Sequence, residues 1–219
     1  MFIYLSYFLS EETPLYGGNG AITLGNVNTI AEGASSNTRH YSFSNHAGTH
    51  IDFPLHFSDV GKSLNNYQPS DWLFSNVHVV FVTVKENQII DEQQISLEDI
   101  PENTELILLV TGFSKYRKEK RYWNNNPGLA PSLALLLRKR CRNLRAIGFD
   151  FISLSSFQNR SLGRIAHREF LVNNDILVIE DMKLDDLGVQ PITRCIAQPL
   201  MVENADGGPI SVIAELSND

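Results

Sequence analysis

Between residues 46 and 56, every second position carries a side chain able to do chemistry or to shape the backbone: His46, Gly48, His50, Asp52, Pro54 and His56. Ala47, Thr49, Ile51, Phe53 and Leu55, mostly apolar, fill the positions between. A period of two is that of an extended strand, whose side chains alternate between faces. The segment therefore reads as a strand with an apolar back and three imidazoles plus a carboxylate on its front. Half of the chain's six histidines fall in this window. Neutral imidazole and carboxylate are the usual ligands of zinc and similar divalent cations. In the competing reading each histidine satisfies backbone groups in a core. One histidine would fit that; three in register with an aspartate argue against it.

His50 and Asp52 lie about 6.6 Å apart along a strand, and two side chains converging on an ion at about 2.1 Å bridge that gap. His46 and His50 would be about 13 Å apart on a straight strand, near the limit of reach. The chain must bend between them, and Gly48 supplies the flexible point. Pro54 ends ordinary ladder pairing and frees His56 to reach the site from a loop. A helix could also bring His46 and His50 together, but Thr49, Ile51 and Pro54 oppose one. The strand alone leaves a metal site open. The distant candidates to complete it are His167, heading the helical-turn segment His167–Leu171, and Glu180, ending the strand Ile176–Ile179. A carboxylate at the C-terminal end of a strand is well placed to face a site, though spacing alone leaves both residues open. His40 and His78 have no such setting.

The elements that must position these residues are mixed. Strand-like apolar runs recur at Ile3–Phe8, His78–Val84, Leu106–Thr111, Ala146–Phe149, Ile176–Ile179 and Ile210–Ala214. Pro131–Arg142 is the clearest helix, with proline near its start, a Leu133/Leu136/Leu137 stripe and a basic last turn that suits the helix dipole. Ile95–Ile100 predicts a short helical turn. Tyr16–Asn19, Gly25–Asn37 and Asn124–Gly128 read as loops, and residues 17–38 as one long loop of the functional or mobile kind. The expectation is one α/β domain over residues 1–219, with more sheet than helix.

Composition bounds the partners. The chain has 219 residues, 42% hydrophobic, with a formal charge of −7. That balance argues against nucleic-acid binding, which favours a basic excess. The apolar N-terminus is too short to span a bilayer and lacks the basic residues of a signal peptide. Cys141 and Cys195 lack metal or redox spacing and read as buried or free thiols of a reducing compartment. A cytoplasmic enzyme acting on a small molecule, without nucleic acid or membrane, is the expectation.

The run Ser44-Asn45-His46-Ala47-Gly48-Thr49-His50-Ile51-Asp52-Phe53-Pro54-Leu55-His56 resembles the H-x-G-T-H-x-D-x-P-x-H signature of the cyclase-like metal hydrolase family, which includes bacterial kynurenine formamidases (arylformamidases) and isatin hydrolases. Leu5-Ser6 with Thr13-Pro14-Leu15-Tyr16 is similar to the family's opening segment. Leu108–Phe113 resembles its R-T-G-W strand, Ala146–Asp150 with Ser153 its I-G-x-D-x-x-S element, and His167 with Glu180 and Asp181 its late segment. The resemblance implies a swivelling β/β/α fold, a binuclear zinc site as in formamidases or manganese as in isatin hydrolases, and a homodimer whose neighbour helps to close the site. Carried over, His46, His50 and Asp52 bind one metal, Asp52 and His167 a second, and Glu180 is shared. His56 is the acid/base, and Tyr16 stands where formamidases of tryptophan catabolism place an aromatic residue, usually tryptophan. Gly17-Gly18-Asn19 replaces P-G-D, Val110 replaces the arginine of R-T-G, and His167 to Glu180 is one residue longer than in formamidases. The implied activity is metal-dependent hydrolysis of a small amide, an N-formyl aryl amine or a cyclic amide. The alternatives are a lactonase, a biosynthetic cyclase or dehydratase, and a catalytically silent metal-binding domain.

Overall fold

In the computed structural model, which describes residues 1–188 and 190–217, thirteen strands and three short α-helices follow in chain order. They are β1 (Phe2–Tyr4), β2 (Thr23–Asn28), β3 (Thr38–Ser42), β4 (His50–Asp52), β5 (Leu73–Phe74), β6 (Val77–Phe81), β7 (Ile89–Ile90), β8 (Leu106–Val110), α1 (Lys120–Asn124), β9 (Gly128–Leu129), α2 (Ser132–Arg140), β10 (Ala146–Phe149), α3 (Arg160–His167), β11 (Leu177–Glu180), β12 (Ile192–Pro199) and β13 (Gly207–Leu216). One nine-stranded sheet runs β5-β12-β13-β4-β11-β10-β8-β6, with β1 added on β13. Its β6-β8-β10-β11 half is parallel and the rest antiparallel. The two ends of that path, β5 and β6, are separated in sequence only by Ser75 and Asn76, so the sheet curls back until its edges nearly meet. This is the mixed α/β fold with few helices expected above.

Burial follows from the pairing. Leu106–Leu109 on β8 and Ala146–Phe149 on β10 are inner parallel strands, and every one of these residues is buried, the continuous apolar run such strands need. The strongly hydrophobic runs of the sequence become β6, β8, β10, β11 and β13 with small shifts at their ends. The N-terminal strand is shorter than expected, ending at Tyr4. The Pro131–Arg142 helix appears as α2, with its basic turn used to tie down neighbours: Arg138 donates to Asn174 O at 2.7 and 3.0 Å, and Arg140 Nε to Ile100 O at 2.7 Å. Both cysteines are buried free thiols.

Three expectations need correction. The strand over 46–56 is reduced to three residues, because Gly48 turns the chain at φ +65° and Pro54 starts a 3-10 turn at Pro54–Phe57. The 17–38 segment contains one arm of a hairpin, β2 paired antiparallel with β3, and β2 has no buried residue. A strand solvated on both faces has no inside–outside alternation to read in sequence. His167 ends the helix α3 rather than opening a turn, and a π turn at Arg168–Asn173 follows it. Among the described residues no helix is long and apolar enough to cross a membrane.

Candidate active site

β4 lies between β11 and β13, and its register sets the site. His50 stands opposite Glu180 and Asp52 opposite Gly207. Directly opposed residues of antiparallel strands share a face, as do residues two apart on one strand. His50, Asp52 and Glu180 are thus forced onto one face of the sheet. All three are nearly fully buried, as is His167. Gly207 leaves that face open: a Cβ there would lie 2.6 Å from His46 Cε1. The left-handed turn at Gly48 swings His46 back until its ring centre is 5.2 Å from that of His50, a separation that a straight strand could not give.

His50 Nδ1 lies 2.8 Å from Gly48 O, and His167 Nδ1 lies 2.9 Å from Gly163 O. A carbonyl can only accept, so each Nδ1 carries the hydrogen and each Nε2 is turned inward. His50 Nε2 is 3.4 Å from Glu180 and 3.5 Å from Asp52. His167 Nε2 is 3.3 Å from Glu180 and 3.5 Å from Asp52. His46 Nδ1 meets Asp52 Oδ1 at 2.8 Å. Glu180 also accepts from Leu154 N–H at 2.7 Å and from the Ser153 hydroxyl at 3.2 Å, and Phe57 stacks on the His167 ring at 4.5 Å.

The electrostatics follow from burying two carboxylates together. Burial disfavours protonated His50 and His167, yet the bonds and fields of Glu180 and Asp52 outweigh it and raise them to about 9 and about 10. Burial also disfavours ionised Asp52, but hydrogen bonds from His167 and His46 hold it well below the usual carboxylate range. Glu180 is lowered too, where bonds from His167 and His50 overcome burial and the charge of Asp52.

Two overlapping groups have ligand atoms within 4.8 Å of one another: His50, Asp52 and Glu180, and His46, Asp52 and His56. The donor set fits a divalent cation in chemistry as well as spacing. It is all imidazole nitrogen and carboxylate oxygen, with second ring nitrogens anchored to carbonyls as in metal-ligating histidines. A cation would also offset the desolvation of two buried carboxylates, several kcal/mol for each ion.

Phe57 and Asp206 were both missed in sequence. Asp206, in the turn before β13, takes His56 Nδ1 at 2.9 Å, His46 Nε2 at 3.2 Å and Asn45 Nδ2 at 2.7 Å. A lone aspartate in a polar loop offers no periodic signal. Its carboxylate sets the His56 ring with Nδ1–H toward Asp206, and among the described residues Nε2 has no hydrogen-bond partner. Burial, with the positive charge of His46, lowers the His56 pKa below its ordinary value against the pull of Asp52 and Asp206. The structure brings all seven candidates together: Tyr16, His46, His50, Asp52, His56, His167 and Glu180 line one cavity of about 260 Å³. His40 and His78 lie elsewhere.

Sheet and cluster together define an α/β protein whose clustered imidazoles and carboxylates suit a divalent cation. The Cyclase family model, described as "Putative cyclase", matches residues 3–156, and the chain belongs to that family. His167, Glu180 and Asp206 lie beyond the matched stretch. A kynurenine formamidase of Geobacillus thermodenitrificans is 29% identical over 207 residues, covering 94% of this chain and 93% of that protein. Cyclase-like protein 3 of Arabidopsis thaliana is 26% identical over 217 residues, covering 95% and 77%. Isatin hydrolase A from Labrenzia aggregata, solved bound to benzyl benzoate, shares the fold with a TM-score of 0.80 at 21% identity, covering 100% of this chain and 94% of that one.

Proposed function

We propose that this chain is a metal-dependent hydrolase of a small amide, arylformamidase-like, acting on a C–N bond outside peptides. The observation that carries this reading is the pair His50 and His167, each with Nδ1–H committed to a backbone carbonyl and Nε2 directed at Asp52 and Glu180. His46, His50, Asp52, His167 and Glu180 would hold the ion. Zinc and manganese both suit imidazole and carboxylate donors. When bound, such a cation supplies Lewis acidity that polarises an amide carbonyl and acidifies water.

The protein's own part is to orient the amide and move the proton. His56 is anchored through Nδ1–H on Asp206, so Nε2 takes a proton from water and returns it to the departing nitrogen. Its lowered pKa keeps Nε2 unprotonated at neutral pH, ready to act first as base. Tyr16 and Phe57 give the cavity aromatic walls, suited to a substrate ring. The similarity to a kynurenine formamidase supports a formamide substrate, and the shared fold with an isatin hydrolase is consistent with a cyclic one. A free imidazole beside the cluster has no use in a closed structural site.

The test is a hydrolysis panel of formanilides, isatin-like lactams and lactones, run with zinc and with manganese. Turnover of an amide with either metal is expected. Turnover of lactones alone, or of nothing while the metal stays bound, would overturn the proposal.

A further inference from the structure

Asn126 is fully buried, an uncommon place for a polar amide, and its side chain is bonded to backbone at both ends. Nδ2 lies 2.8 Å from Pro127 O, 3.2 Å from Ser153 O and 2.8 Å from Ser155 O, and Oδ1 accepts from Phe157 N–H at 3.1 Å. Carbonyls only accept and an N–H only donates, so the amide has one possible orientation. The end of α1 does not call for it: that helix is closed by Asn125, whose N–H returns to Arg121 O.

Three of these four bonds go to residues 153–157, in the connection from β10 to α3. That connection also holds two members of the cluster. Leu154 N–H and the Ser153 hydroxyl donate to Glu180 Oε1 at 2.7 and 3.2 Å, which leaves Oε2 to face His50 Nε2 at 3.4 Å. Ser155 Oγ lies 3.2 Å from His167 Nδ1. The connection is clamped from two sides by glycines. A Cβ at Gly128 would stand 2.6 Å from Ser156 N, and one at Gly163 would overlap Ser155 Oγ.

Ser153 O and Leu154 N–H belong to one peptide unit. That unit is planar and trans, so its C=O and N–H point in opposite directions. Asn126 Nδ2 grips the carbonyl on one side, and Glu180 Oε1 takes the N–H on the other. A donor on the carbonyl both aims the N–H and strengthens it by polarising the unit. We infer that Asn126 is a positioning residue of the metal cluster, which sets the Glu180 carboxylate through the Ser153–Leu154 peptide. This rests on the reading of Glu180 as a metal ligand, but the relay can fail on its own.

The experiment measures zinc affinity by chelator competition for wild type, Asn126→Ala, Asn126→Ser and a control, Ile100→Ala. Ile100 is buried before β8 and lies outside the cavity lining. Its loss should lower the urea midpoint and leave the zinc affinity of the folded protein as in wild type, which is all that a purely structural Asn126 would do. Asn126→Ala should instead weaken zinc about tenfold, the lower end of what losing an outer partner of a metal ligand costs. Asn126→Ser keeps one donor and should weaken zinc less, in the same direction; it decides the matter where Asn126→Ala does not fold. A loss of more than about twofold, absent from Ile100→Ala, supports the relay, and an affinity within that margin of wild type, or an equal loss in Ile100→Ala, overturns it. If wild-type protein binds neither zinc nor manganese, the metal reading fails instead. The relay is then decided by the Leu154 amide proton resonance of metal-free protein, which reports its bond to Glu180. An upfield move in Asn126→Ser that Ile100→Ala does not show supports the relay, and an unmoved resonance overturns it.

Discussion

Asp52 and Glu180 are two carboxylates buried within reach of the same histidines, and that crowding decides how single residues behave. In metal-free protein the raised pKa values of His50 and His167 contribute stability that is fully present below the unfolded value of about 6.5. It is lost as pH rises through about 9 and then about 10. The lowered Asp52 and Glu180 contribute in the opposite sense: their share is present above the unfolded values of about 4 and lost as pH falls through the folded ones. The urea midpoint of metal-free protein should therefore decline from pH 6.5 to 10, and a rising midpoint there would contradict the cluster's electrostatics. Metal uptake must displace the protons of His50 and His167, so titration calorimetry near pH 7 in buffers of different ionisation enthalpy should register proton release. His56→Ala should keep its metal and lose about 10²–10⁴-fold in kcat; full activity would remove its acid/base role. Asp206→Asn should lower kcat about 10–100-fold, as loss of an orienting partner does, with little change in KM.

At the scale of elements, the turn at Gly48 and the turn after β11 hold the cluster together. A side chain at Gly48 would have to adopt φ +65° with its Cβ 2.6 Å from Leu9 Cδ2. Gly48→Ala should cost about 1–3 kcal/mol from the backbone alone, read as a lower urea midpoint, and weaken metal binding by displacing His46. After β11, Asp181 takes φ +51° and is gripped by Arg117 through two bonds at 2.9 and 2.7 Å and by the Tyr122 hydroxyl at 2.5 Å. Thr49 Oγ1 donates to Asp181 O at 2.6 Å, tying that turn to the start of β4 behind Glu180. Arg117→Met would leave Asp181 buried without its counter-charge and should destabilise the fold by about 3–5 kcal/mol; a midpoint within experimental error of wild type would refute that. The His46–His56 segment was legible because its chemistry is concentrated in one run, and its bend because only Gly48 could make it. β12 was not legible: its buried positions include Cys195 and Ala197 and its exposed ones Thr193, Arg194 and Gln198, an alternation too weakly apolar to stand out. Asp206 and the partners of Asp181 come together from segments far apart in sequence, which no local pattern encodes.

Across the whole molecule, the curled sheet explains why a three-residue strand can carry a metal site. β4 is flanked on both sides by longer or fully buried strands, and their register, rather than its own length, fixes which side chains meet. Ile51, fully buried on the opposite face of β4, makes that register costly to shift, since a one-residue slip would turn His50 and Asp52 to the other face. The resemblance also implies a homodimer, so light scattering should give twice the mass of one chain; a single-chain mass would remove that expectation. The most direct check of the central claim is a metal titration of chelator-stripped protein, followed by hydrolysis of a formanilide. Stripped wild type should be inactive and recover to a plateau as zinc or manganese is added, while Asp52→Ala should neither retain metal nor recover. Full activity in the stripped protein, or unchanged metal content in Asp52→Ala, would contradict the account.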